Sequence, residues 1–243
     1  MTTLSAAEAA EFFRGEPDRY IDVGAGEAAY RRIGTGPDVL FVHGWPVSSA
    51  TFRTLLPHLV DHVTCHLFDF PSAGSSRFDD STPMSIDQHI KTVVAVVDEL
   101  GLDRVAVVGH DSGGMIARHA MVDDVRLRAL GLINTEPPNP SWRFTTFARL
   151  GRLPGLGAGL GWVAGRPWLR RRRFVLGDAF ADRTLLDGEF DEFFLQPLRD
   201  RARAEAASKL LRSIDLPRHV TALADLHPRI AVPVVLVWGD QDP

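Results

Sequence analysis

The chain has 243 residues, of which 45% are hydrophobic and 24% are charged, as expected for a folded protein with a sizeable core. The net charge of −4 argues against nucleic acid as the main partner, and the single cysteine, Cys65, excludes an internal disulfide. The sequence contains neither a signal peptide nor the stretch of about 20 apolar residues that a membrane span requires. We therefore expect a cytoplasmic protein without a membrane partner.

Hydrophobic periodicity and turn residues predict the elements in chain order. A short helix begins at Ser5, with Glu8 placed to complete a capping box. Strands and helices alternate from about residue 39 to 133, which indicates a parallel sheet with right-handed crossovers. The predicted strands are 20–23, 28–33, 39–42, 63–68, 104–108, 130–133 and 232–238, and the predicted helices are 5–14, 85–100, 113–121 and 221–226.

The alternation stops after residue 136. Residues 137–216 contain aromatic and arginine clusters but no clear buried strand, so we interpret them as an inserted helical cap, or lid. Residues 1–136 and 217–243 would then form the core. Within the cap we expect Arg170–Arg173 to form a solvated face rather than an anion site. We expect Trp142, Trp162 and Trp168 to pack in the core of the cap rather than against the substrate.

Residues 109–114 read Gly-His-Asp-Ser-Gly-Gly and directly follow the apolar run 105–108. This pattern is typical of a nucleophile elbow, a strand, tight turn and helix with one reactive side chain, Asp111, at the apex. Flanking glycines tolerate the strained, crowded backbone of such a turn. Because aspartate is ionised at neutral pH, Asp111 could attack an sp3 carbon directly and form an alkyl ester. The simpler interpretation, that Asp111 is only a helix N-cap, does not explain the glycines.

Two further motifs follow predicted strands. Residues 43–46 read His-Gly-Trp-Pro, and residues 69–76 read Asp-Phe-Pro-Ser-Ala-Gly-Ser-Ser. Together with the elbow, they resemble the epoxide hydrolase and haloalkane dehalogenase branch of the α/β-hydrolase superfamily. The resemblance extends over about residues 20–135 and 230–243. It implies an α/β fold, the α/β-hydrolase fold, in which a mostly parallel, doubly wound sheet carries an inserted helical lid.

The resemblance also implies roles for individual residues. Asp111 would be the nucleophile, and the backbone N–H groups of Trp45 and Ser112 would form an oxyanion hole that stabilises charge on the ester. His43, Trp45 and His110 are expected at the substrate pocket, with His43 in a structural role. A small-molecule substrate is implied, with no cofactor and no metal, and the protein would be a monomer or a homodimer.

A second acid and a histidine complete the mechanism in this family. Asp242 matches the position of the acid, Asp240 is a weaker candidate, and Glu136 after the strand 130–133 is the alternative. The family's general-base histidine follows one more strand, and none of the nine histidines occupies that place before Pro243. We therefore expect a fragment or truncated product that lacks the final strand and helix. Such a chain would form the ester but hydrolyse it poorly.

The substrate class is less clear from the sequence. Related epoxide hydrolases activate the epoxide oxygen with tyrosines of the lid, whereas the two tyrosines here are Tyr20 and Tyr30. The cap contains tryptophans instead, which favours dehalogenase-like chemistry with the Trp45 indole N–H as a halide donor. Two alternatives stay open. One is a serine esterase with Ser112 as nucleophile, and the other is a non-catalytic binder or inactive fragment with the same fold.

Overall fold

A seven-stranded sheet organises the computed structural model, in which residues 4–153, 155–177, 180 and 182–240 are described. The strands are β1 (Arg19–Asp22), β2 (Glu27–Gly34), β3 (Asp38–Val42), β4 (Thr64–Phe68), β5 (Val105–His110), β6 (Leu127–Ile133) and β7 (Val234–Val237). Their order across the sheet is β1-β2-β4-β3-β5-β6-β7. The first two strands pair in antiparallel fashion, and all pairs from β4 to β7 are parallel, so the predicted mostly parallel sheet is confirmed.

Helices connect the strands and cover the sheet. They are α1 (Ala6–Arg14), α2 (Leu56–Leu59), α3 (Ile86–Glu99), α4 (Ser112–Met121), α5 (Trp142–Leu150), α6 (Leu156–Ala164), α7 (Pro167–Arg170), α8 (Arg201–Arg212) and α9 (Leu223–Leu226). The predicted capping box forms at α1, where Ser5 and Glu8 each accept a backbone hydrogen bond from the other. Short 3-10 and π turns join the later helices.

Both faces of the central strands are buried, because alternate residues of each of these strands point into different apolar clusters. In β3, Leu40 joins the cluster beneath α3 and α4, and Phe41 joins the opposite cluster with α1 and α2. The doubly wound arrangement is therefore confirmed. Since the strands β3, β5 and β6 are parallel, their carboxyl ends lie at the same edge, where ligands of open α/β sheets usually bind.

The predicted cap region, residues 137–216, forms α5 to α8 and several short turns, without a strand among its described residues. The expected solvated face holds for Arg171, Arg172 and Arg173, which are exposed, but it is wrong for Arg170. Arg170 is buried, with 2% of its surface exposed, because it pairs with two aspartates of the cap. The three cap tryptophans are exposed rather than packed in a cap core, and for Trp142 the exposed fraction reaches 75%. The division into core and cap stays a prediction, since Leu210 of α8 belongs to the main core cluster, and the word cap below denotes residues 137–216.

The strand β7 lies at the end of the sheet and pairs with β6. All four of its residues are exposed, and Val235 and Leu236 have 63% of their surface accessible. Within the described residues, no helix has the length and apolar character needed to cross a membrane.

Candidate active site

A strained turn between β5 and α4 carries Asp111. Its backbone angles are φ 53° and ψ −135°, a conformation that costs free energy for any residue with a side chain. A Cβ atom at Gly109 would lie 2.5 Å from the Cα of Gly114, and one at Gly113 would clash with the carbonyl oxygen of Val42. The glycines of the motif are therefore required by the close approach of α4 to the ends of β5 and β3. This local structure agrees with the predicted elbow.

The loop after β3 brings a backbone donor to Asp111. The N–H of Trp45 donates to Asp111 Oδ2 over 2.8 Å. This approach requires Gly44, because a Cβ atom there would lie 2.5 Å from the Cβ of Asp111 and closer still to Oδ2. Ser112 donates to the same oxygen through its hydroxyl, over 3.2 Å. Trp45 thus points a backbone donor at Asp111, and the oxyanion-hole roles assigned to the N–H groups of Trp45 and Ser112 stay predictions.

Asp111 lines a cleft of about 750 Å³ between the core and the cap. The core contributes Trp45 and His110 to its wall. The cap contributes three phenylalanines, two leucines and several polar groups, including Phe180, Phe190, Phe194, Leu185, Asp187 and Glu189. A partly apolar cleft with a few convergent polar groups is typical of a small-molecule site.

His110 lies in the wall of this cleft and packs edge-on against Phe52, with 6.4 Å between the ring centroids. Its Nδ1 is buried without a hydrogen-bond partner among the described residues. His43 lies elsewhere. Its Nε2 accepts from the backbone N–H of Phe70, its Nδ1 donates to the carbonyl oxygen of Gly44, and burial lowers its pKa. This histidine lines an adjoining cavity, which shares Trp45 and Phe194 with the cleft, and its expected place at the substrate pocket stays a prediction.

The Trp45 indole cannot act as the halide donor suggested from the sequence. Its Nε1–H donates to the carbonyl oxygen of Ala207 in α8, over 2.9 Å, and so ties the oxyanion loop to the cap. That partner lies 162 residues away along the chain. The cap tryptophans do not replace the indole, because the exposed Trp142, Trp162 and Trp168 do not contribute to the cleft wall that the structure describes.

Glu136 is the acidic residue that the structure brings into electrostatic contact with Asp111. It follows β6 and is buried, and its Oε2 accepts a hydrogen bond from the Thr135 hydroxyl over 3.1 Å. Burial, and then the charge of Asp111, raise the pKa of Glu136 to about 7. Asp242, the favoured acid, lies outside the described residues, and Asp240 is exposed.

Two residues near the elbow were missed from the sequence. Asn134, with φ 42°, lines the cleft and accepts from the N–H of Gly239, which connects the ends of β6 and β7. Arg118 is a buried cation on α4 that reaches the loop of Glu136. A single arginine in an otherwise apolar and small-residue helix face was the available signal for it. Across the described part of the chain, no group of three His, Cys, Asp or Glu side chains is placed to hold a metal ion.

Known proteins resemble this chain in sequence and in fold. The sequence model of the alpha/beta hydrolase family matches residues 39–243. Haloalkane dehalogenase 2 of Mycobacterium tuberculosis is 35% identical over 118 residues, which cover 48% of this chain and 41% of that protein. A pimeloyl-(acyl-carrier protein) methyl ester esterase of Stenotrophomonas maltophilia is 33% identical over 104 residues, covering 43% of this chain and 38% of that protein. The chain thus spans about two-fifths of the length of these curated relatives.

The solved structure of the epoxide hydrolase CorEH matches 92% of this chain and 82% of its own, with a TM-score of 0.71 and 20% sequence identity. At that identity the match shows the fold alone. It confirms the α/β-hydrolase fold expected from the three motifs.

Proposed function

This chain belongs to the alpha/beta hydrolase family, and from that premise we propose that it is a hydrolase whose nucleophile is Asp111. The nucleophile would attack an electrophilic sp3 carbon of a small organic molecule and form an alkyl ester with it. The resemblance to the haloalkane dehalogenase and epoxide hydrolase branch is supported by a haloalkane dehalogenase among the curated relatives and by an epoxide hydrolase among proteins of the same fold. The observation that carries the proposal is the hydrogen bond from the Trp45 N–H to Asp111 Oδ2, made at the wall of the cleft.

The geometry divides the two carboxylate oxygens between two tasks. Oδ2 is held by Trp45, so we assign the attack on carbon to Oδ1. The new C–O bond forms as the bond to the leaving group breaks, and the leaving group departs with the bonding pair. When water later attacks the carbonyl carbon of the ester, the negative charge develops on Oδ2. The Trp45 N–H already points at that atom, and one such donor typically contributes about 3 kcal/mol.

Haloalkanes fit the described cleft better than epoxides. A halide leaves as a stable anion, whereas an opened epoxide carries an alkoxide that needs a proton donor. The hydroxyl of Tyr30 is bonded to His66 Nδ1 inside the sheet, over 2.7 Å, and the cleft wall described for this chain contains no tyrosine. We therefore propose a dehalogenase-like first step, in which the halide departs without a proton.

The serine esterase alternative is less well supported by the geometry. Ser112 is the first residue of α4 and is buried, and its hydroxyl donates to Asp111 Oδ2. Among the described residues, the wall of the cleft contains Asp111 but not Ser112. Ser112 lines the adjoining cavity with His43 instead, so a substrate in the cleft would meet the carboxylate first.

Trapping the ester tests the proposal directly. The protein is incubated with 1-bromobutane, and the intact mass is measured before peptide mapping. We expect one butyl adduct, on the peptide that contains Asp111. Since no histidine of the described structure hydrogen-bonds to Asp111, we expect the adduct to persist long enough for detection.

Matched variants separate the alternatives. Asp111→Asn should abolish the adduct, whereas Asp80→Asn, at an exposed aspartate, should retain it. Ser112→Ala should also retain it, and loss of the adduct in that variant alone would support the serine as nucleophile. Absence of any adduct on Asp111 across a panel of bromoalkanes and terminal epoxides would refute the proposed function and favour a non-catalytic binder.

A further inference from the structure

Arg118 connects the elbow helix to the loop that follows β6. It lies in α4, and only 2% of its surface is exposed. Its Nε donates to the carbonyl oxygen of Gly114 over 3.0 Å, and its Nη2 donates to the carbonyl oxygen of Glu136 over 2.7 Å. Burying a guanidinium is costly unless its donors are satisfied. These contacts therefore fix the backbone at Glu136 relative to the first turn after Asp111.

A hydroxyl relay extends from Arg118 to the side chain of Glu136. The Nη2 of Arg118 also donates to Thr135 Oγ1 over 3.0 Å, and that hydroxyl donates to Glu136 Oε2 over 3.1 Å. A threonine hydroxyl has a single proton. Because Arg118 occupies an acceptor position of the hydroxyl, the proton is directed towards Glu136 Oε2. Gly114 makes room for the relay, since a Cβ atom there would lie 2.6 Å from Thr135 Oγ1.

We propose that Arg118 and Thr135 are positioning residues that orient the buried Glu136 carboxyl beside Asp111. In this orientation Oε2 is fixed as an acceptor and Oε1 is the oxygen that takes up a proton. The inference rests on the proposed role of Asp111 as nucleophile, because Glu136 then controls the charge beside the reacting carboxylate. It concerns the proton state of Glu136 and the residues that set it.

The charged groups that face Glu136 in the described structure are Asp111, from the elbow, and Arg118, from α4. His227 reaches the same cluster through Arg118, whose Nη1 lies 3.0 Å from His227 Nε2. Burial and Asp111 raise the pKa of Glu136 to about 7, whereas the Thr135 hydrogen bond and the charge of Arg118 oppose that rise. We therefore expect Glu136 to change charge near neutral pH.

This titration has a consequence for the first chemical step. Ester formation removes the negative charge of Asp111. Repulsion from an ionised Glu136 is relieved at that moment, so the alkylation rate should increase several-fold as the pH rises through the titration of Glu136. The Thr135 hydrogen bond stabilises the ionised form, so its loss should move the transition to higher pH.

The test follows the carboxyl itself, in protein labelled with 13C at the glutamate side chains and without substrate. The signal of Glu136 is assigned with Glu136→Gln and titrated from pH 4 to pH 9. Thr135→Val should raise the midpoint by about one pH unit, and Thr135→Ser, which keeps the hydroxyl, should restore the wild-type midpoint. Thr135→Ala, which removes the hydroxyl without adding a methyl group, should reproduce the upward shift if the valine variant folds poorly.

The alkylation rate with 1-bromobutane, measured over the same pH range, should move in parallel. A midpoint that is unchanged in both hydroxyl-free variants, or shifted equally in Thr135→Ser, would overturn the positioning role. A shifted midpoint in a protein that is never alkylated would instead refute the proposed nucleophile and leave the orientation of Glu136 supported.

Discussion

The two walls of the cleft are held in place by different forces. On the core side, Asp111 and Trp45 are fixed by backbone hydrogen bonds and a strained turn. The neighbouring glycines are packed so closely that no side-chain atom could be added to them. On the cap side, the two acidic residues of the cleft wall are held by ion pairs. Glu189 accepts from Arg53 over 2.8 Å, and Asp187 accepts from Arg170 over 2.8 Å.

This difference indicates a division of labour. Close-packed backbone tolerates no added atom, so the core wall keeps the reacting groups within the fraction of an ångström that chemistry requires. Partly exposed ion pairs contribute little and are screened by salt, so the cap wall can shift at small cost. The core would then set the chemistry, and the cap would set access to it.

The largest effect is expected from one methyl group on the core wall. Gly44→Ala places a Cβ atom 2.5 Å from the Cβ of Asp111. The side chain or the loop must move, which breaks the alignment of the Trp45 N–H with Oδ2. We expect the rate of Asp111 alkylation to fall by about 100-fold or more, measured by intact mass over time.

The matched control is a glycine of the cap. Gly159 lies in α6, and a Cβ atom there would meet nothing within 4 Å. Gly159→Ala should leave alkylation unchanged and should stabilise the helix slightly, because alanine loses less conformational entropy on folding. Equal rates in the two variants would show that the core wall is not the more constrained one.

The constrained wall is also the part that could be predicted from the sequence. The elbow and the loop at Gly44 are local, since each is encoded by a strand and the few residues after it. The cap depends on partners that are distant in the chain. Arg170 is buried in contact with Asp187 and Asp191, and the Trp45 indole donates to the carbonyl oxygen of Ala207. Neither contact produces a periodic pattern in the amino-acid sequence. The exposure of the cap tryptophans was missed for the same reason.

The next largest effect is expected within the cap. Arg170 is buried and donates to Asp187 and Asp191, as well as to the carbonyl oxygen of Ala164. Arg170→Met should remove the buried partner of both carboxylates, which keep Arg171 and Arg199 as exposed partners, and should destabilise the cap by about 1 kcal/mol. Faster hydrogen exchange over residues 182–195, with slow exchange retained in β3 and β5, would demonstrate local opening.

Arg172→Met is the control for that experiment, because it removes an exposed arginine from the same part of the cap. We expect exchange close to that of the wild type. If both variants opened the cap equally, the general loss of positive charge, rather than the buried pairs, would be responsible. If Arg170→Met opened β5 as well, cap and core would be a single cooperative unit.

The smallest effect is expected at the contact between the walls. Arg53 of the core donates to Glu189 and lies over the rings of Phe193 and Phe194, at 5.4 Å and 5.9 Å. Arg53→Gln removes this pair, in which Glu189 is about half exposed, so the cap should open more easily by only about 0.5 kcal/mol. Alkylation by a bulky bromoalkane should become about 2-fold faster in this variant. Added salt should accelerate the wild type towards the same rate by screening the pair, and should change the variant little.

Arg77→Gln, which removes an exposed pair with Glu27 outside the cleft wall, should keep both the wild-type rate and its salt response. The opposite outcome is a wild-type alkylation rate that does not change with salt concentration and equals the rate of Arg53→Gln. Access to Asp111 would then not depend on this ion pair, and the cap wall would be as fixed as the core wall.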